Sequence, residues 1–210
     1  MSAGRKKYVF QILIGAVLVF FALAALLPFV YMCLISFTQK NALDLRFAGE
    51  TYTLKNYINV FANLNIGRAL FNSIVVTGGA CALNMIVASM AAYGFTKKQW
   101  KGRDQIFTLY LATLMIPGQV TLIPVFSIMK SVNLLNTHIA LMLPIVNAFG
   151  VFLIRQFMIG IPDELIEAAK IDGCGDFSIF LKIVIPLIKP VLVSLTIFTF
   201  ITNWNDFLWP

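Results

Sequence analysis

The residues best suited to chemistry are gathered in one polar stretch, residues 162–183. Asp163, Glu164, Glu167, Asp172 and Asp176 are mixed there with Lys170 and Lys182, and broken by Gly173 and Gly175. Carboxylates grouped in this way suit acid–base work or a charged face offered to a partner. Acid–base and nucleophilic catalysis need a nucleophile beside a base, or groups of separated pKa. No such pair stands out in the chain. The phosphate-loop pattern G-x-x-x-x-G-K-[ST] is absent, so the chain is not expected to bind ATP itself. The single histidine, His138, has no cysteine or carboxylate set around it and reads as a polar residue at an interface. We therefore expect no catalytic residue, no metal site and no bound cofactor. A docking face is the use that remains.

The elements that would position this face can be read from local chemistry. Pro162 ends the preceding segment, and Asp163 and Glu164 suit the positive N-terminal end of a helix. Leu165 to Asp172 is rich in helix formers. Gly173 and Gly175 are expected to stop it, because glycine accepts the left-handed backbone of a helix C-terminus. Asp176 is expected to cap a second helix that runs apolar through Ile183-Val184-Ile185. Ala168 and Ala169 give the first helix a slim face for close approach. A plain connection between two neighbouring elements needs only a few residues, so a helix–turn–helix here is built to dock something.

The rest of the chain is apolar enough for a bilayer. Hydrophobic residues make up 60% and charged residues 12%, against about 25% charged in soluble domains. Charge-free runs at residues 8–39, 69–96, 105–129 and 131–154 each exceed the roughly 20 residues a spanning helix needs. The fifth, residues 190–205, is shorter, and Lys189 reaches its interface by snorkelling. We read five spans, at about 10–36, 70–95, 106–129, 138–158 and 184–207, within a single transmembrane domain over residues 1–210. Of the 16 basic residues, 11 fall on the side of the N-terminus and 5 on the other: Lys40, Arg46, Lys55, Arg68 and Lys130. That bias places the N-terminus in the cytoplasm. The net charge of +7 then reports orientation, and the cluster from Lys97 to Arg103 reads as a topology anchor, not a nucleic-acid patch. The first apolar run is too long for a signal peptide. Cys33, Cys81 and Cys174 have neither redox nor ligand spacing.

Within the spans, Asn84, Gln119, Thr121 and Asn147 are candidates to face a bundle interior or a polar path. Inter-helix hydrogen bonds are the more ordinary use, and spacing does not choose between the two. At the end of the fifth span, Asn203, Trp204, Asn205 and Asp206 form a polar cluster that reads either as an interfacial belt or as a gate. The small residues of the second span, from Gly78 to Gly94, suit close helix packing. Pro117, Pro124 and Pro144 are expected to kink spans three and four.

Several landmarks resemble one known family. Glu167-Ala168-Ala169, then Gly173, then Ile183 and Pro186, is similar to the EAA loop of ABC importer permeases, with Ile185 where the family usually has leucine. Asn72-Ser73, Ala91-Ala92-Tyr93-Gly94-Phe95, Ile116-Pro117-Gly118-Gln119, Asn136-Thr137 and Trp204-Asn205-Asp206-Phe207 follow in the order of the carbohydrate-uptake permeases. They look most like the second permease of maltose-type systems. The resemblance implies an all-α polytopic helix bundle, with five spans present here and a sixth missing at the C-terminus. It implies Glu164, Glu167, Ala168, Ala169, Asp172, Gly173 and Pro186 as the coupling loop. It also implies a cytoplasmic ATPase dimer that binds the ATP, a second and different permease chain, an extracytoplasmic solute-binding protein and membrane lipid as partners, without nucleic acid. The activity implied is inward movement of a sugar or sugar-like solute by alternating access, in a bacterial-type cell membrane. The candidates for the solute path are Asn84, Gln119, Asn147, Asn203, Asn205 and Asp206. An ion-coupled secondary transporter would need ionisable groups near mid-membrane, and the spans have none away from their edges. A non-transporting scaffold would leave the polar loop unexplained.

Overall fold

A computed structural model describes residues 2–39 and 52–208, with side chains from residue 7 onward. Lys40, Arg46 and the rest of residues 40–51 of the expected outer loop lie outside the described residues, as do Trp209 and Pro210. All regular elements among the described residues are helical. The chain divides into two compact units, Met1–Arg68 and Ala69–Pro210.

The first unit is dominated by α1 (Ser2–Ser36). Its stretch Lys7–Ser36 is apolar all round and buries nothing within the structure, the pattern of a helix that lies in lipid. Thirty residues of α-helix span about 45 Å, longer than a hydrocarbon core of roughly 30 Å. The end of α1 is finished by α2 (Lys55–Asn63), a helix not foreseen from the sequence. Asn56 Nδ2 donates to the carbonyls of Ser36 at 3.1 Å and Thr38 at 2.6 Å. Tyr57 hydrogen-bonds Ser36 Oγ at 2.7 Å and packs on Phe37. These contacts satisfy carbonyls that a helix C-terminus leaves unpaired.

α3 (Ile66–Lys97) leads into the second unit and, among the described residues, is the one other helix long and apolar enough to cross a bilayer unbroken. The expected third, fourth and fifth spans are bent pairs. α4 (Arg103–Met115) and α5 (Gly118–Ser131) meet at 106°. α6 (His138–Ile145) and α7 (Ala148–Ile159) meet at 47°, and α9 (Asp176–Leu187) and α10 (Lys189–Trp204) at 78°. Between them, α8 (Asp163–Ile171) forms the first helix of the polar stretch.

The bends have local causes. Proline disfavours helical backbone in the residue before it, and Ile116, before Pro117, is extended at φ −87°, ψ 117°. Pro144 falls in a 3-10 turn, after which Val146 is extended and Asn147 caps α7 by accepting a hydrogen bond from Gly150 N at 3.2 Å. Pro124 behaves differently from the expectation. It lies inside α5 without breaking it. Around Pro186 the missing amide donor is accommodated by one wide π turn, residues 180–184.

The core of this unit joins α3, α7, α8, α9 and α10 through Ala88, Ala92, Val151, Ile154, Met158, Ile166, Ile179, Val184, Val191 and Leu195. Small residues set the spacing. A Cβ on Gly150 would lie 3.1 Å from Asn84 Oδ1 and 3.3 Å from both Ala88 and Leu195, so α7 passes α3 and α10 at a spacing that a larger residue would crowd.

Candidate functional site

Two regions carry the candidate residues. The first is the helix–turn–helix of α8 and α9. α8 turns Ile166 and Ala169 into the core, three residues apart on one face. Glu164, Leu165, Glu167, Ala168 and Ile171 face out. The two alanines thus divide their roles, since only Ala168 is available to a partner. Ile171 is 87% exposed and Phe177 65%. Large apolar groups displayed among carboxylates mark an interaction surface. Sequence reasoning singled out neither, because it looked for charged and small contact residues in this stretch.

The turn closes as a Schellman motif. Gly173 is left-handed at φ +79°. Cys174 N donates to Ala169 O at 2.9 Å and Gly173 N to Lys170 O at 3.0 Å, the paired bonds of that motif. Gly175 plays a different part from the one expected. It is extended, at φ −71° and ψ 157°, and starts α9. Asp176 does not cap α9 with its side chain. Its carboxylate pairs with Lys98 instead. Pro186 lies within α9, past the docking face.

Lys97 and Lys98, at the end of α3, tie both helices of this region down. Lys97 Nζ donates to Asp163 Oδ1 at 2.6 Å and to Ile161 O at 2.5 Å, with only 4% of its side chain exposed. Lys98 pairs with Asp176 and sits 5.5 Å from the centre of the Tyr93 ring. Arg155 of α7 adds a nearby tie, donating to Phe95 O at 3.5 Å and stacking over Phe107 at 4.2 Å. The Lys97 hydrogen bond and charge hold the Asp163 carboxyl below the usual carboxylate range, and Lys98 does the same for Asp176. A lowered folded pKa stabilises the fold above the ordinary value of about 3.9. That contribution is lost only as pH falls through the lowered value. Sequence reasoning placed Lys97 and Lys98 only as topology anchors, and their pairing with the two helix-opening aspartates emerges from the fold.

The second region is a cavity of about 400 Å³ where the bends of α4–α5 and α6–α7 face α10. Asn84, Asn147, Thr199, Asn203 and Asp206 supply its polar wall, with Phe149 and Phe198 as apolar surface. An adjoining cavity of about 440 Å³ shares Gly118, Pro144, Thr202 and Asp206 and adds Gln119 and Thr121. Asn84, Asn147, Asn203 and Asp206 thus line the first cavity, and Gln119 lines the second, which Asp206 also borders. Asn205 is apart from them, exposed and donating to Ile201 O of its own helix at 2.7 Å. Asn84 is 2% exposed, and its Nδ2 donates to Thr199 Oγ1 at 2.9 Å. Its Oδ1 is buried against Gly150 and has no hydrogen-bond partner among the described residues. Broken helices that present N-termini and amides to a space inside a bundle are suited to hold a polar solute.

Residues 84–210 match the family of binding-protein-dependent transport system inner membrane components. The chain belongs to this family. It is the permease subunit of an ATP-binding-cassette importer and a multi-pass component of the inner membrane. It is 37% identical over 198 residues to the arabinooligosaccharides transport system permease protein AraQ of Halalkalibacterium halodurans, covering 91% of this chain and 71% of that one. It is 34% identical over 191 residues to the lactose transport system permease protein LacG of Rhizobium radiobacter, covering 90% and 70%. The fold of this permease is similar to a chain in the crystal structure of a bacterial ABC transporter that imports the acidic polysaccharide alginate. The TM-score is 0.81 at 27% identity, with 98% of this chain and 74% of that one covered.

Proposed function

We propose that this permease carries a carbohydrate and that the cavity at the helix breaks is its share of the solute path. The observation that carries this reading is the wall itself. Amides and hydroxyls from Asn84, Asn147, Thr199, Thr202 and Asn203, with one carboxylate, stand beside two phenyl rings. Sugars present hydroxyls that pair with amides and carboxylates, and apolar faces that pack on rings. The described residues lining the cavity include no basic group to hold an anion. The relatives named for arabinooligosaccharides and lactose support the same class. In this reading the α8–α9 surface docks a cytoplasmic ATPase dimer that hydrolyses the ATP, and Glu167 supplies a polar contact there. A second permease chain completes the path, a binding protein delivers the solute from outside, and the N-terminus is cytoplasmic. The test is uptake by the reconstituted importer with Asn203→Ala and, separately, Asn84→Ala in this chain. Saturable carbohydrate uptake that weakens in both variants, at constant complex yield, agrees with the reading. Unchanged uptake in both overturns the assigned path.

A further inference from the structure

We propose that Lys97 and Lys98 are positioning residues that make α3 the rod between the docking loop and the solute cavity. The proposal rests on the reading that α8 docks the ATPase. Each lysine grips the first residue of one helix of the loop: Lys97 holds Asp163 of α8 and Lys98 holds Asp176 of α9. Both come from the last turn of α3 and its immediate end, while the middle of the same helix places Asn84 in the cavity wall. Between them, Ala88 and Ala92 are fully buried in the core, so this segment of α3 cannot bend independently of its neighbours.

The geometry separates gripping from docking. The gripped aspartates open α8 and α9, whereas the outward apolar groups, Ile171 and Phe177, lie after them. A force applied to the outer face is resisted at two points by α3. Exposed ion pairs are weak alone, and Asp163 and Asp176 are mostly exposed. Lys97 differs, because a nearly buried ammonium without its two oxygen partners is costly. Lys98 is held further by the Tyr93 ring. The pins therefore fix where the loop sits on α3, and loss of them lets the loop move while α3 stays still.

The test uses the complete importer in proteoliposomes and reads solute transported per ATP hydrolysed. Typical allosteric coupling is worth roughly 5- to 150-fold, so Lys97→Gln and Lys98→Ala are each expected to lower that ratio at least about five-fold. Lys98→Arg, and the exchange of Lys98→Asp with Asp176→Lys, are expected to restore it to within about two-fold. A residue that only stabilised the fold would lower the yield of complex and leave the ratio intact. Protection of the exposed Cys174 thiol by the added ATPase reports docking separately. Absence of protection in the wild-type importer removes the docking reading. Protection together with an unchanged ratio in Lys98→Ala, or no rescue by the exchange, overturns the positioning role. If Lys97→Gln fails to assemble, the Lys98 series decides alone.

Discussion

Charge does two kinds of work in the α8–α9 region, and the sequence showed only one of them. Glu164 and Glu167, three residues apart, share the outward face of α8. Asp163 and Asp176 were legible as helix-opening acids. Their lysine partners, 66 and 78 residues earlier, were not, because no local pattern pairs groups so far apart. In the cavity, the type of each polar residue was readable but its direction was not. Asn203 and Asn205 look alike in sequence, yet only Asn203 meets the cavity. Two outcomes follow at this scale. Glu167→Lys should weaken ATPase association by about 1–3 kcal/mol, within the usual range for a single substitution, measured by co-purification and uptake, while Lys55→Glu should leave both near wild type. Asn203→Ala should lower uptake at unchanged complex yield, whereas Asn205→Ala should transport normally. Equal behaviour of the two asparagine variants would remove the cavity from the path.

The elements were foreseen best where one signal dominates. α1 and α3 follow from length and apolarity, and the short helix–turn–helix follows from its acids and Gly173. Bends were harder. Pro117, Pro124 and Pro144 all offer a missing donor, but only the first two breaks in the chain use one, and α5 passes through Pro124 intact. Whether a proline bends a helix depends on what satisfies the freed carbonyl, and that is a tertiary property. The close approach of α7 to α3 was likewise hidden in one glycine. Gly150→Leu should therefore overpack the contact with Asn84 and Leu195, costing about 1–3 kcal/mol and reducing recovered complex in detergent. Gly173→Val should disturb α8 more locally. A left-handed L-residue costs roughly 1–2 kcal/mol, so the turn should loosen and uptake should fall with the spans still assembled. Trypsin sensitivity confined to the loop would check this; a turn as resistant as wild type would contradict it.

At the scale of the whole molecule, the breaks and the loop belong to one design. The bent pairs open polar backbone and amides to an inner space. The unbroken α3 runs from that space to the lysines that pair with the first residues of α8 and α9. In the proposed orientation, drawn from the 11-to-5 distribution of basic residues, that loop lies in the cytoplasm, where a partner ATPase would dock. A membrane-impermeant thiol reagent should miss Cys174 in intact cells and label it in inverted vesicles. Labelling from outside would reverse the topology and separate the loop from any ATPase. The most direct measurement of the central claim is ATP-driven carbohydrate uptake by the reconstituted importer, with the wild-type chain and with Glu167→Lys assembled to equal yield. The wild type should accumulate solute only when ATP, the ATPase and the binding protein are all present, and Glu167→Lys should abolish most of that uptake. Uptake that proceeds without the ATPase, or at the same rate in both proteins, would contradict a permease driven through α8.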